Sequence, residues 1–245
     1  REAIKIALEY FHLEKEDVVT ILTTSGNFYI SGCVTKEIEK ICKWSRDFTD
    51  KTKVIFVNHE FGYAYKELAA LKSYGLPIIE DCAHSFFTEC NGIGTVGDFV
   101  IYSLPKAFSM QLGGVLVSNS IELIPKTDKG LNDYFEKYAG SQIQGIHSIT
   151  EKRLDNYYFL ESHLADIGIY PFFELEKGTV PGAFLFRWHS DIDYPKLKVF
   201  MQSHGVESSV FYGQDAFFIP CHQELSQGEL NYMIELLRYF AKYEI

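Results

Sequence analysis

LPIIEDCAHS at Leu76–Ser85, GDFVIYSLPK at Gly97–Lys106 and LGGVLVSN at Leu112–Asn119 together decide how this chain folds. Pro77–Glu80 and Phe99–Tyr102 are short apolar runs bounded by turn-forming residues, which predicts two buried strands. One run ends in Asp81 and His84, the other in Ser103 and Lys106. Ligands bind outside the carboxyl ends of strands in an open α/β sheet, so an acid and a lysine delivered there can meet across one ligand. Gly113-Gly114 allows close backbone approach nearby.

Working outward, strands alternate with helices. Arg1–Phe11 carries a helical apolar stripe. Asp17–Leu22 reads as a buried strand, followed by the turn cluster Thr23–Asn27. Helix is expected from about Gly32 to Lys43, strand at Lys53–Asn58 and a loop at His59–Gly62. A helix is expected over Tyr65–Tyr74, with Gly75 as its C-cap and Pro77 just beyond. This alternation predicts a parallel, doubly wound sheet. Val100–Ser103 and Gly114–Ser118 read as strands flanking a Lys106 loop. Asp128–Ser148 is polar and Tyr-rich, and reads as connector with a short helix. Beyond it come a helix at Glu151–Leu164, a strand within Gly178–Trp188 and a helix at Tyr194–His204. A strand at Val206–Tyr212 and a final helix from Ser226 or Glu229 to about Lys242 complete the chain. The expectation is a large α/β domain over residues 1–148 and a small C-terminal α+β domain over residues 149–245.

A hydrophobic share of 47% and a charged share of 23% are those of a soluble globular chain. The formal net charge of -10, without a Lys/Arg-rich block, argues against a nucleic-acid surface. No apolar run reaches membrane-spanning length, and no signal peptide is visible. The five cysteines are odd in number and lack zinc spacing, which points to reduced thiols in a cytoplasmic protein.

Lys106 standing alone would read as a surface lysine. Ser103 three residues earlier, placed for a phosphate oxygen, and the following glycines favour instead an amine that carries a cofactor aldehyde as a Schiff base. Asp81, behind an apolar run, needs a cationic or hydrogen-bonding partner. A protonated pyridine nitrogen is one such partner, and a helix N-terminus beginning after Asp81 is another. Asp81, Cys82 and His84 also have ligand-type side chains, which keeps a metal-dependent hydrolase as an alternative. Dinucleotide, Walker and nucleophile-elbow motifs are absent.

These residues carry a resemblance. The chain is similar to the DegT/DnrJ/EryC1/StrS sugar aminotransferases. The likeness runs through strand Asp17–Leu22, VNHEFG at Val57–Gly62, the three stretches quoted first and KRLDNY at Lys152–Tyr157. The pairing of E-D-x-A-[HQ] with S-x-x-K and a following G-G is its specific part. The resemblance implies a fold-type-I, aspartate-aminotransferase-like architecture that binds pyridoxal 5'-phosphate. It gives Lys106 the covalent cofactor lysine, Asp81 the acid on the pyridine nitrogen and His84 the group beside the ring oxygen. Ser103 becomes a phosphate ligand and Phe28 an aromatic stacked on the ring. The family's phosphate turn, Ser-Gly-Thr-like, would lie just before Arg1, so Arg1 and Glu2 would open the phosphate-binding helix and the chain would lack its natural start. It further implies an amino-acid donor such as glutamate, a nucleotide-linked keto-sugar acceptor and a homodimer with shared active sites. The alternative within the family is a degenerate, non-catalytic subunit; the dehydratase variant, with histidine in place of the lysine, is disfavoured by Lys106.

Overall fold

Val18–Thr23 (β1) carries β-branched residues at nearly every position and is buried along almost its whole length. Such a strand is stable only with a covered sheet on both sides of it. Lys43–Ser45 (β2) lies beside it in parallel, and Thr52–Asn58 (β3) pairs on its other edge, also in parallel. Ile78–Asp81 (β4) pairs in parallel with β3, and Phe99–Ser103 (β5) with β4. Gly114–Ser118 (β6) closes the edge in the antiparallel sense. The sheet therefore runs β2-β1-β3-β4-β5-β6, parallel except at its last strand.

The computed structural model describes residues 1–120, 122, 128–189 and 191–244. It divides into two compact units, Arg1–Gly145 with Lys177–Thr179 and Ile146–Glu176 with Val180–Ile245. In the first, Glu2–Tyr10 (α1) buries Ile4, Ala7 and Leu8 along one stripe. These pack with Val19, Ile21, Val54, Phe56, Ile79 and Phe99 from the sheet. Gly32–Ile38 (α2) begins at Ser31, whose side chain accepts from the Cys33 N–H. It stops short of the expected Lys43 because Lys43 onward is drawn into β2, paired with Val18–Thr20.

Lys106 stands not in an open loop but in the single helical turn Leu104–Ala107 (α3), with a proline in its first turn. The expected helix before Gly75 is a 3-10 segment, Leu68–Tyr74, closed by Gly75 at φ 64°. Asp128–Ser148 holds more helix than expected. Lys129–Ile143 (α4) is 15 residues long and is capped by Asp128, which accepts from the Gly130 and Leu131 N–H groups. Only Ala139 of α4 is buried, so its sequence has no clean apolar stripe to read.

The second unit runs Ile146–Leu164 (α5), Ile169–Pro171 (β7), Phe184–Trp188 (β8), Tyr194–Ser203 (α6), Ser209–Val210 (β9), Phe217–Ile219 (β10) and Gln227–Tyr243 (α7). Its antiparallel sheet has the order β7-β8-β10-β9. Phe184, Phe186 and Phe217 are fully buried among Tyr157, Leu160, Leu197, Met201 and Leu237. Removing each such ring from water contributes about 1.5–3 kcal/mol. The final helix is fixed by a capping box between Ser226 and Glu229.

Candidate functional site

The carboxyl ends of β3, β4 and β5 open onto a cavity of about 650 Å³ in the first unit. This is the size range of small-ligand sites. Asn58, Asp81 and Ser103 reach it from the strand ends and Lys106 from α3, while Arg1, Glu2, Ser31 and Cys33 reach it from the starts of α1 and α2. Leu131 and Phe135 of α4 supply apolar wall.

Strand alternation explains how two neighbouring acids come to differ. Successive side chains of a strand point to opposite faces. Glu80 is fully buried away from the cavity. Its Oε1 accepts from the N–H groups of Val96 at 3.0 Å and Gly97 at 2.6 Å, and its Oε2 from Gly94 N–H at 2.7 Å and His59 Nε2 at 3.0 Å. Burial pushes the Glu80 carboxyl up, but the His59 and glycine hydrogen bonds outweigh it and hold the net value below the ordinary one. His59 Nδ1 accepts from the Tyr65 N–H at 3.0 Å, so Nε2 carries the ring proton and donates to Glu80. With Cys82 these residues put three ligand-type atoms within 4.8 Å of one another. Both ring nitrogens of the imidazole and both carboxylate oxygens are already engaged, so the cluster acts as a brace between the 59–65 and 91–97 loops.

Asp81, one residue on, lines the cavity and is 7% exposed. Its Oδ1 accepts from the Ala83 N–H at 3.0 Å, a local turn rather than a helix cap. Oδ2 has no hydrogen-bond partner among the described residues. Burial pushes the Asp81 carboxyl up, and the Lys106 charge opposes that shift.

Lys106 Nζ lies 2.7 Å from His84 Nε2. The lysine is exposed as a residue and lines the cavity, and protein atoms crowd its amine. That crowding lowers the Lys106 pKa, while Asp81 and Cys33 work to raise it. The His84 ring sits 5.8 Å from the Phe61 ring. At the far side, Arg1 Nη2 donates to Cys33 Sγ at 3.4 Å. This contact, with help from Ser31, pulls the Cys33 thiol below its ordinary value. Gly113 adopts φ 125° there, and a Cβ on it would fall 2.7 Å from Phe135 Cε1.

Arg1, Glu2, Asp81, His84, Ser103 and Lys106, all singled out from the sequence, therefore share one cavity. Phe28 does not. It is 74% exposed and absent from the lining, because the turn after β1, with Gly26 at φ 69° and Asn27 Oδ1 accepting from the Tyr29 N–H, buries Ile30 and turns Phe28 outward. Asn58 and Cys33 were missed. Asn58 was recoverable only through the pairing that sets it beside Asp81.

The donor set suits the cofactor that the resemblance implies: an acid with an oxygen to spare on the cavity floor, an amine beside it, and arginine, serine and a helix start at one end.

Comparison with known proteins bears on the fold and the family. Residues 40–134 match the model of the DegT/DnrJ/EryC1/StrS aminotransferase family. GDP-perosamine synthase of Vibrio cholerae is 36% identical over 89 residues, which is 33% of this chain and 24% of that protein. The match thus spans about a quarter of that relative's length. The aminotransferase TlmJ of Streptoalloteichus hindustanus superposes with a TM-score of 0.82 at 14% identity, covering 100% of this chain and 84% of TlmJ. NtdA of Bacillus subtilis, solved with bound cofactor PMP, gives 0.76 at 15% identity over 98% of this chain and 71% of NtdA. The fold-type-I architecture expected from the sequence is thereby borne out. Asp81, His84, Ser103 and Lys106 all lie within residues 40–134, the stretch that matches the DegT/DnrJ/EryC1/StrS aminotransferase family model.

Proposed function

We propose that the protein is a pyridoxal-phosphate-dependent aminotransferase that moves an amino group from an amino acid, glutamate in the first instance, to a nucleotide-linked keto-sugar. One observation carries the reading: an accessible amine at Lys106, 2.7 Å from His84, shares a cavity with the buried carboxyl of Asp81. The cofactor, when bound, supplies an aldehyde for an amine and a ring that absorbs the electron pair left by a departing α-proton.

In this reading Lys106 holds the cofactor and then serves as the base that takes and returns the α-proton of the amino donor. Crowding, by lowering its proton affinity, makes the free amine available at a lower pH than for a surface lysine. Asp81 keeps the ring nitrogen protonated, and the pairing in turn relieves a carboxylate that burial disfavours. His84 orients the Lys106 amine. Arg1, Ser103 and the first N–H groups of α1, beside Glu2, bind the phosphate. The nucleotide-sugar acceptor is supported by the name of the Vibrio cholerae relative, and amino-sugar building for a surface polysaccharide is the role it suggests. All five cysteines are free thiols, in keeping with a reducing cytoplasm.

The test is chemical. The chain is incubated with pyridoxal 5'-phosphate, reduced with borohydride, digested and mapped by mass spectrometry. The cofactor mass is expected on the peptide carrying Lys106, and Lys106→Ala should lose both that label and the visible absorption band. Labelling scattered over surface lysines, unchanged in Lys106→Ala, would overturn the reading.

A further inference from the structure

Phe61 is a bulky residue held at φ 53° and ψ 24°. Left-handed backbone at such a residue is unfavourable and persists only where the surroundings over-determine it. Here they do. The Glu60 N–H donates to Thr24 Oγ1 at 3.0 Å, Thr24 Oγ1 donates to the Tyr63 carbonyl at 2.7 Å, and a Glu60 carboxylate oxygen accepts from the Ser25 N–H at 2.7 Å. Thr88 Oγ1 donates to the Gly62 carbonyl at 2.7 Å, and Ser85 Oγ to the His59 carbonyl at 3.3 Å. His59 itself is clamped between the Tyr65 N–H and Glu80. The clamped turn holds the Phe61 ring 5.8 Å from the ring of His84, a residue that lines the cavity.

We propose that Phe61 is a positioning residue, and that its ring, presented by the strained turn, fixes His84 so that Nε2 stays on Lys106 Nζ. With Lys106 protonated, Nζ donates and the imidazole Nε2 accepts, so a fixed His84 stabilises the ammonium. A His84 that swings free withdraws that acceptor. The inference rests on the reading of Lys106 as the working amine, but its test does not use the cofactor.

Lys106 is followed in the full, cofactor-free chain by NMR of 13C-labelled lysine side chains, with its signal assigned by its loss in Lys106→Arg. Phe61→Asn and Phe61→Gly both tolerate left-handed backbone and remove the ring, so either one can decide if the other fails to fold. Each is expected to lower the Lys106 titration midpoint by about half a pH unit or more, as is His84→Leu. The Phe61→Asn/His84→Leu pair should shift no further than His84→Leu alone, because both act through one contact. Phe61→Tyr keeps the ring and should titrate as the wild type. The other charged groups on the cavity, Asp81 from β4, Arg1 and Glu2 from α1 and Cys33 from α2, are unchanged throughout. A wild-type midpoint in the Phe61→Asn and Phe61→Gly chains, no shift in His84→Leu, or shifts that simply add in the double variant would each overturn the proposal. None of these outcomes bears on whether pyridoxal phosphate labels Lys106, so the two readings fail separately.

Discussion

Asp81 shows what a buried acid costs the molecule that carries it. Its carboxyl is held above the ordinary 3.8 chiefly by burial. The folded chain therefore binds the proton more tightly than the unfolded chain does. Below 3.8 the residue is protonated in both states and subtracts nothing. Between 3.8 and the raised folded value the penalty grows, and above that it is constant. Asp81→Asn, in the cofactor-free chain, is expected to melt a few degrees higher at neutral pH, with the difference closing as the pH falls toward 3.8. Thermal melts across that range check it, and a variant that melts lower at neutral pH contradicts it. Such a gain in stability at the expense of a site is the usual trade. At this scale the sequence was informative where a cavity-lining residue followed an apolar run, as Asp81 and Lys106 do. It was silent on Cys33 and Asn58, whose places depend on how α1 and α2 pack and on which strand lies beside β4.

Among the elements, the connection from β5 through α3 to β6 is the least forgiving. Gly113 enters β6 at φ 125°, and a methyl group there would fall 2.7 Å from Phe135 Cε1 on α4 and 3.0 Å from Leu104 Cδ1 on α3. Gly113→Ala is expected to destabilise the chain by about 1–3 kcal/mol, through strained backbone and crowding of α3. Denaturant unfolding measures this, and loss of cofactor labelling at Lys106 should accompany it. Apolar runs such as β1, β3 and β5 were legible from the sequence because burial on both faces selects mostly β-branched and aromatic residues. β2, β7 and β10 were not: each has three residues, too few to show a period, and each exists because a neighbouring strand offers it an edge. The 3-10 segment Leu68–Tyr74 carries helix-forming residues and buries only Leu68 and Leu71, so its pattern could not separate it from an α-helix.

For the molecule as a whole, the resemblance implies two chains sharing their sites, and the first unit carries apolar residues in keeping with a partner. Leu112, Val115, Leu131 and Ile143 are 48%, 37%, 48% and 46% exposed, and two of them flank the Gly113-Gly114 pair that lines the cavity. Sedimentation of the full chain is expected to give about twice the 28.1 kDa of one copy, with Leu131→Glu shifting it toward one. A wild-type chain that sediments as a single copy at micromolar concentration contradicts this. No helix among the described residues is long and apolar enough to cross a membrane.

The opposed fates of Glu80 and Asp81 have a consequence for how such a protein can change over generations. The two acids are near-twins in chemistry, and only parity along β4 tells them apart: one is tied to three glycine-loop amides and His59, the other faces the cavity. A single-residue insertion or deletion between Ile78 and Glu80 would turn each acid to the opposite face of the strand while leaving both acids in the sequence. Drift that nearly preserves composition but breaks that count would take the Asp81 carboxyl off the cavity. The spacing between Ile78 and Asp81 is therefore inherited information in its own right, as much as the identity of the acid at its end.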